Sequence, residues 1–150
     1  YGTGFKTNPF LSPMEIAGVN GVLLRDAWRD GAHAYLGVCT SGFPNLFMLY
    51  GPNTNLGHNS IILMTETQAR YIADCIDTLR AKGLQMMEVI DSVEEAYNDE
   101  LQARLRDMVW NTLSESWYKD GQRVTNNWAG TTWEYRRRMR RVDWRAYRLV

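Results

Sequence analysis

The stretch Gly42-Phe43-Pro44-Asn45-Leu46-Phe47-Met48-Leu49-Tyr50-Gly51-Pro52-Asn53-Thr54-Asn55-Leu56-Gly57-His58-Asn59-Ser60 decides how the rest of the chain is read. Gly42 to Asn45 carries turn residues, and Leu46 to Tyr50 is a continuous apolar run of the kind found in a strand covered on both faces. Gly51 to Asn59 is a polar loop with glycines. Ile61-Ile62-Leu63-Met64 then opens a long helix that Asn59 or Ser60 is placed to cap. The order is buried strand, permissive loop, helix N-terminus. A junction of this kind presents backbone N–H groups and the positive end of a helix dipole beyond the carboxyl end of a strand. It suits an anionic or electron-rich ligand edge, although many such junctions bind nothing.

Downstream, the spacing predicts a helix from about Ser60 to Lys82, closed by Gly83 as a left-handed cap. Its first turn is apolar all round and is expected to enter the core. Further on, Ala69, Ile72, Ile76 and Leu79 form the expected buried stripe, with Arg70, Asp74, Asp77 and Arg80 in water. Upstream, Gly21 to Arg25 and Tyr35 to Val38 read as short strands of the same sheet, with Trp28 and Tyr35 as core or shelf aromatics. A second helix follows Ser92-Val93-Glu94-Glu95, which has the form of a capping box, and repeats Val93, Tyr97, Leu101, Leu105 and Met108 at helical spacing. The acids between Glu88 and Glu100 are expected there because carboxylates favour a helix N-terminus, rather than as a catalytic pair.

From Trp110 the chain is aromatic. Asp120-Gly121 signals a hairpin between Trp117-Tyr118-Lys119 and Gln122-Arg123-Val124-Thr125. Thr131 or Thr132 can cap a short helix running to about Arg141. From Glu134 onward seven arginines face two acids, a net +5 balanced by −5 over the preceding 133 residues. Arginine interleaved with tryptophan and tyrosine suits a nucleic-acid surface. It also suits a helix laid against the acidic segment Glu88 to Glu100, which is the reading preferred here. A docking point for the 2′-phosphate of NADP is a third reading of the same arginines.

Composition is that of an ordinary globular domain, 45% hydrophobic and 23% charged over 150 residues, with zero formal net charge. Nothing global points to nucleic acid or an anionic membrane, and no apolar run approaches the ~20 residues that span a bilayer. Cys39 and Cys75 show no paired spacing, so free thiols in a reducing cytoplasm are expected. His33 and His58 lack partners at metal-ligand spacing, and no nucleophile elbow or phosphate-loop lysine occurs.

The wording of the central stretch resembles the flavin-dependent monooxygenases, particularly the Baeyer–Villiger branch. Gly42-Phe43-Pro44-Asn45-Leu46-Phe47, the Gly51-Pro52 loop and Gln68-Ala69-Arg70-Tyr71-Ile72 carry the resemblance. Gly2-Thr3-Gly4-Phe5 is similar to the motif that returns that family's chain from its nicotinamide domain to its flavin domain. An opening at Tyr1 then reads as a strand end whose strand lies upstream, and the chain as a C-terminal fragment. Ser116-Trp117-Tyr118 resembles a mobile-loop motif whose tryptophan reaches the nicotinamide cofactor. Its continuation departs from the family's, which leaves core packing open for Trp117.

The resemblance implies an α/β fold, here a mixed α+β piece at the C-terminal end of a flavoprotein with two dinucleotide-binding domains. Residues 1–83 would end the FAD-binding domain and residues 84–150 form a helical, aromatic and arginine-rich tail. FAD and NADPH are the implied cofactors, with O₂ and a ketone or heteroatom substrate, one oxygen atom being inserted. Gly51, Pro52, Asn53, Thr54, Asn55 and Leu56 are expected along the flavin, His58 bracing the loop, and Asn59 and Ser60 presenting N–H groups to its pyrimidine edge. The cofactor fingerprints and catalytic arginine of the family are expected upstream of Tyr1, so the chain alone is not expected to catalyse. Uncovered apolar surface should make the isolated chain self-associate. The competing class is a non-catalytic module that binds a protein or nucleic acid through the tail.

Overall fold

A computed structural model describes residues 10–11, 14–57, 60–109, 118–120 and 123–150. After a 3-10 turn at Val19–Gly21 come α1 (Leu24–Ala27), the long α2 (Ile61–Lys82), β1 (Met87–Val89) and α3 (Asp91–Arg106). The tail supplies β2 (Lys119–Asp120), β3 (Arg123–Val124), α4 (Thr132–Arg138), a 3-10 turn at Trp144–Ala146 and β4 (Tyr147–Leu149). β4 pairs antiparallel with β1, Met87 opposite Leu149 and Val89 opposite Tyr147, so the tail returns to the middle of the chain. The hairpin read at Asp120-Gly121 is present as β2 and β3, with Gly121 and Gln122 outside the described residues.

α2 ends where expected, at Gly83 in the left-handed conformation (φ 67). Its buried face is rotated by about one position from the expected stripe. Met64, Gln68, Tyr71, Cys75 and Leu79 face inward, while Ile76 is 42% exposed. The reason is chemical. Gln68 and Tyr71 bury their bodies because their polar tips find partners inside; the Tyr71 and Tyr147 hydroxyls lie 2.7 Å apart. The apolar first turn enters the core on one side only, through Met64 with Ile61 against it, while Ile62 is 70% exposed. The main core gathers Met64, Tyr71, Leu101, Leu105, Tyr135 and Tyr147, from both sides of Gly83; burying one such leucine stabilises by ~1.5–3 kcal/mol. A smaller cluster packs Leu24, Trp28, Phe43 and Met48.

The short strands expected upstream are absent, and positive φ angles explain why. Leu36 (φ 53) and Gly37 (φ 69) make a tight turn of the hairpin type, with Val38 N–H donating to the Tyr35 carbonyl at 3.1 Å. Asn20 (φ 58) and Gly21 (φ 75) turn the chain before Val22, and only Leu23 pairs, with Ala17. Asn45 (φ 60) and Tyr50 (φ 58) bracket Leu46 to Tyr50, which runs as irregular backbone rather than a strand. Met48 drops into the smaller core and Phe47 against the main one. Of the five apolar residues only Met48 is buried, and Leu49 and Tyr50 are exposed, so the run marks neither a ladder nor a strand covered on both faces.

The acids at the start of α3 do more than complement its dipole. Ser92 does not cap the helix; Ile90 occupies the N-cap and no side chain bonds there. Instead Glu94, 1% exposed, accepts from Thr40 Oγ1 (3.0 Å), the Ser41 N–H and His33 Nδ1 (2.8 Å). Asp91 accepts from Ser41 Oγ at 2.9 Å and Glu88 from Gly42 N–H at 2.9 Å. The acidic run thus clamps residues 40–42, the turn that launches the central stretch. α4 is capped by Thr131, whose Oγ1 accepts from Glu134 N–H at 3.2 Å. It packs on α2, and its charges reach α3 through Arg138 with Glu100 and Glu134 with Arg104. These arginines hold both carboxyls below the usual range.

Candidate functional site

Tyr50 turns left-handed into Gly51, and the loop that follows is held from two sides. On one side lies the Leu36-Gly37 turn. A Cβ on Gly51 would stand 2.4 Å from the Gly37 carbonyl, and one on Gly37 would stand 2.1 Å from Thr54 Cγ2. Both positions therefore need glycine for close approach. On the other side lies the segment after β3. Asn53 N–H donates to the Thr125 carbonyl (2.8 Å), Asn55 N–H to Asn126 (3.0 Å), and Trp128 N–H back to Asn55 (2.9 Å). Asn53 sits at φ 56, and its amide nitrogen donates to the carbonyls of Val124 (2.7 Å) and Asn127 (3.0 Å). Thr54 Oγ1 donates to the Gly51 carbonyl at 2.7 Å, closing the loop on itself.

A buried relay ties this loop to the helices. Tyr50 N–H donates to Gln68 Oε1 (2.8 Å), Gln68 Nε2 to the Tyr135 hydroxyl (2.9 Å), and that hydroxyl to the Leu36 carbonyl (2.6 Å). Burial pushes the Tyr135 hydroxyl far up, so it remains a donor. The sequence marked Gln68 only as part of the family wording, and it gave Tyr135, Asn127 and Gly37 no part in the loop. The readable signals were a glutamine in a helix stripe and the Asn126-Asn127 doublet after the hairpin.

Of the residues expected here, Gly51, Pro52, Asn53, Thr54 and Leu56 are all buried. They form the body of the loop. Asn55 is half-buried, its Oδ1 accepting from Tyr50 OH (2.8 Å) and its Nδ2 donating to Asn127 Oδ1 (3.1 Å), so its amide braces the loop. Ser60 leads into α2 without a side-chain cap. The first-turn N–H groups of a 22-residue helix, which have no intrahelical acceptor, therefore end the loop with a positive dipole. His58, Asn59 and Trp117 lie outside the described residues. Leu49 (53% exposed), Tyr50 (42%) and Ile62 (70%) present apolar surface flanking the loop.

The loop is held by backbone and amide hydrogen bonds, and neither cysteine is available as a thiolate. Burial pushes the Cys75 thiol up to about 12 and the Cys39 thiol further, so both remain protonated. No group of three or more metal-ligating side chains occurs among the described residues. No described helix is long and apolar enough to cross a membrane. Asn53 Oδ1 and Asn127 Nδ2 are buried without a partner beside the loop.

No protein-family model matches the chain. Over its full length it is 41% identical to a Baeyer-Villiger monooxygenase of Pseudomonas aeruginosa, spanning 29% of that protein. It is 38% identical to the FAD-binding monooxygenase ktnD of Aspergillus niger, over 98% of this chain and 25% of that one. Among solved structures, OTEMO in complex with FAD and NADP superposes with a TM-score of 0.85 at 27% identity, over 99% of this chain and 28% of that chain. An oxidized steroid monooxygenase bound to NADP gives 0.81 at 28% identity, over 91% of this chain and 26% of that one. The chain thus spans under a third of the length of the relatives it matches.

Proposed function

We infer that this chain is the C-terminal segment of a flavin- and NADPH-dependent monooxygenase of the Baeyer–Villiger type, and that it forms one wall of the flavin site. The observation that carries the reading is the 41% identity along the whole chain to a protein of that name. The site fits the group. A hydrogen-bonded loop leads to the N-terminus of a 22-residue helix, which suits the electron-rich pyrimidine edge of an isoalloxazine. Bound FAD would supply the oxygen-transfer chemistry, with NADPH as reductant, O₂ as oxidant and a ketone or heteroatom compound as substrate. The chain's own part is placement. Gly51 to Leu56 would line the ring, with His58, Asn59 and Ser60 assigned to the same cofactor, and the first-turn amides of α2 would favour negative charge at its edge. Trp117 is assigned to the nicotinamide side. Residues 1–83 end the flavin domain, and residues 84–150 are the tail whose Val124 to Trp128 segment holds the loop. Two buried free thiols support a cytoplasmic setting.

The test is the longer protein that carries this segment. It is expected to purify with about one FAD per chain and to consume O₂ with NADPH faster when a ketone or thioether is added. A colourless protein with no NADPH oxidation would overturn the reading. In the isolated chain, Leu49, Tyr50 and Ile62 are left uncovered and should drive self-association. Sedimentation is expected to show dimers or larger species whose population falls on dilution. A monomer at all concentrations would contradict that expectation.

A further inference from the structure

Six of the seven arginines of the tail divide into two groups; the seventh, Arg141, meets no carboxylate among the described residues and lines a different groove. Arg138, Arg145 and Arg148 each meet a carboxylate. Arg136, Arg137 and Arg140 meet none among the described residues, and neither does Arg70 on the adjacent face of α2. These four line one groove of about 810 Å³ between α2 and α4, together with Trp133 and Thr67. The one carboxylate in the wall, Glu134, is already held by Arg104 and Arg138. Four guanidiniums line one groove whose only carboxylate is already paired, and an anion bridging them would offset their mutual repulsion. Trp133 adds a second kind of recognition. It is 76% exposed, and the Arg136 guanidinium lies over its ring at 5.3 Å, leaving the opposite face open to a flat partner.

We propose that this groove binds a purine nucleotide, its phosphates on Arg70, Arg137 and Arg140 and its base stacked on the open face of Trp133. Guanidinium forks match phosphate oxygens in pairs, and an indole accepts any base on its face. The volume holds a mononucleotide, whereas a bare inorganic anion would leave Trp133 unused. The site is separate from the flavin wall and stands whether or not that reading holds. Its role would be to register a nucleotide on the N-terminal half of α2, about two to three turns beyond the helix start that follows the loop.

Calorimetric titration of the full chain with ADP, pyrophosphate and adenosine tests it at low salt. ADP is expected to bind more tightly than pyrophosphate, with adenosine weaker than either, and its affinity should fall as salt rises. The double variant Arg137→Ala/Arg140→Ala should weaken ADP by about tenfold or more, and Trp133→Ala by about fivefold. Arg137, Arg140 and Trp133 are exposed, so the variants should keep the wild-type circular dichroism spectrum. No heat with ADP at millimolar concentration would overturn the proposal, as would an unchanged affinity in the double variant. Pyrophosphate binding as tightly as ADP would overturn the nucleotide assignment, and so would preferential binding of a polyglutamate peptide.

Discussion

Replacing Glu94 by alanine is expected to cost about 2–4 kcal/mol of folding stability, as when several buried donors lose a shared acceptor. The carboxylate is 1% exposed and gathers Thr40 Oγ1, Ser41 N–H and His33 Nδ1. Alanine leaves those donors facing a cavity they cannot fill. Glu94→Gln keeps one acceptor oxygen but turns an NH₂ toward a donor, so an intermediate loss is expected. Urea unfolding of the three proteins checks this through the midpoint at constant slope. A loss under ~1 kcal/mol for Glu94→Ala, the size of one ordinary hydrogen bond, would mean that the clamp on residues 40–42 is not structural.

Gly37→Ala should be comparably severe, for a different reason. The backbone there has φ 69, and the new methyl would lie 2.1 Å from Thr54 Cγ2 and 2.9 Å from the Pro52 carbonyl. Left-handed strain and overpacking together cost about 2–5 kcal/mol. Gly83→Ala separates the two effects, because Gly83 has φ 67 with nothing within 4 Å of its would-be Cβ. It should lose only ~1 kcal/mol. The difference between the variants measures how firmly the turn braces the loop. In the longer protein, Gly37→Ala should also release FAD faster, since Thr54 and Pro52 must move. Equal stability of the two alanine variants would contradict the close approach.

Helical spacing and capping made much of this fold legible. The end of α2 at Gly83, the Asp120-Gly121 hairpin and the Thr131 cap all follow from local chemistry that acts within a few residues. The strand readings at 21–25, 35–38 and 46–50 failed where left-handed residues, several of them not glycine, broke the backbone. Nothing in Leu36 or Tyr50 announces a positive φ. The inward face of α2 was misjudged because Gln68 and Tyr71 are buried by distant partners, Tyr135 and Tyr147, which are 67 and 76 residues away. The loop was legible as a loop that leads into α2, although the strand expected before it is irregular backbone. Its clamp was not, because Val124 to Trp128 meets it only after a long excursion of the chain. The tail's pairing with the acidic helix was foreseen by charge. The remainder without ion pairs, Arg136, Arg137, Arg140 and Arg141, shows only when the pairs are laid out in space.

The central claim is that the loop and the start of α2 form the flavin wall. Hydrogen exchange on the longer protein, stripped of FAD and reloaded with it, tests this most directly. Amides in peptides covering residues 51–63 should exchange about tenfold slower with FAD bound, a shift of local opening free energy of ~1.4 kcal/mol, while peptides covering residues 136–141 stay unchanged. Equal exchange across residues 51–63 in the two forms, with new protection at residues 136–141 instead, would contradict it.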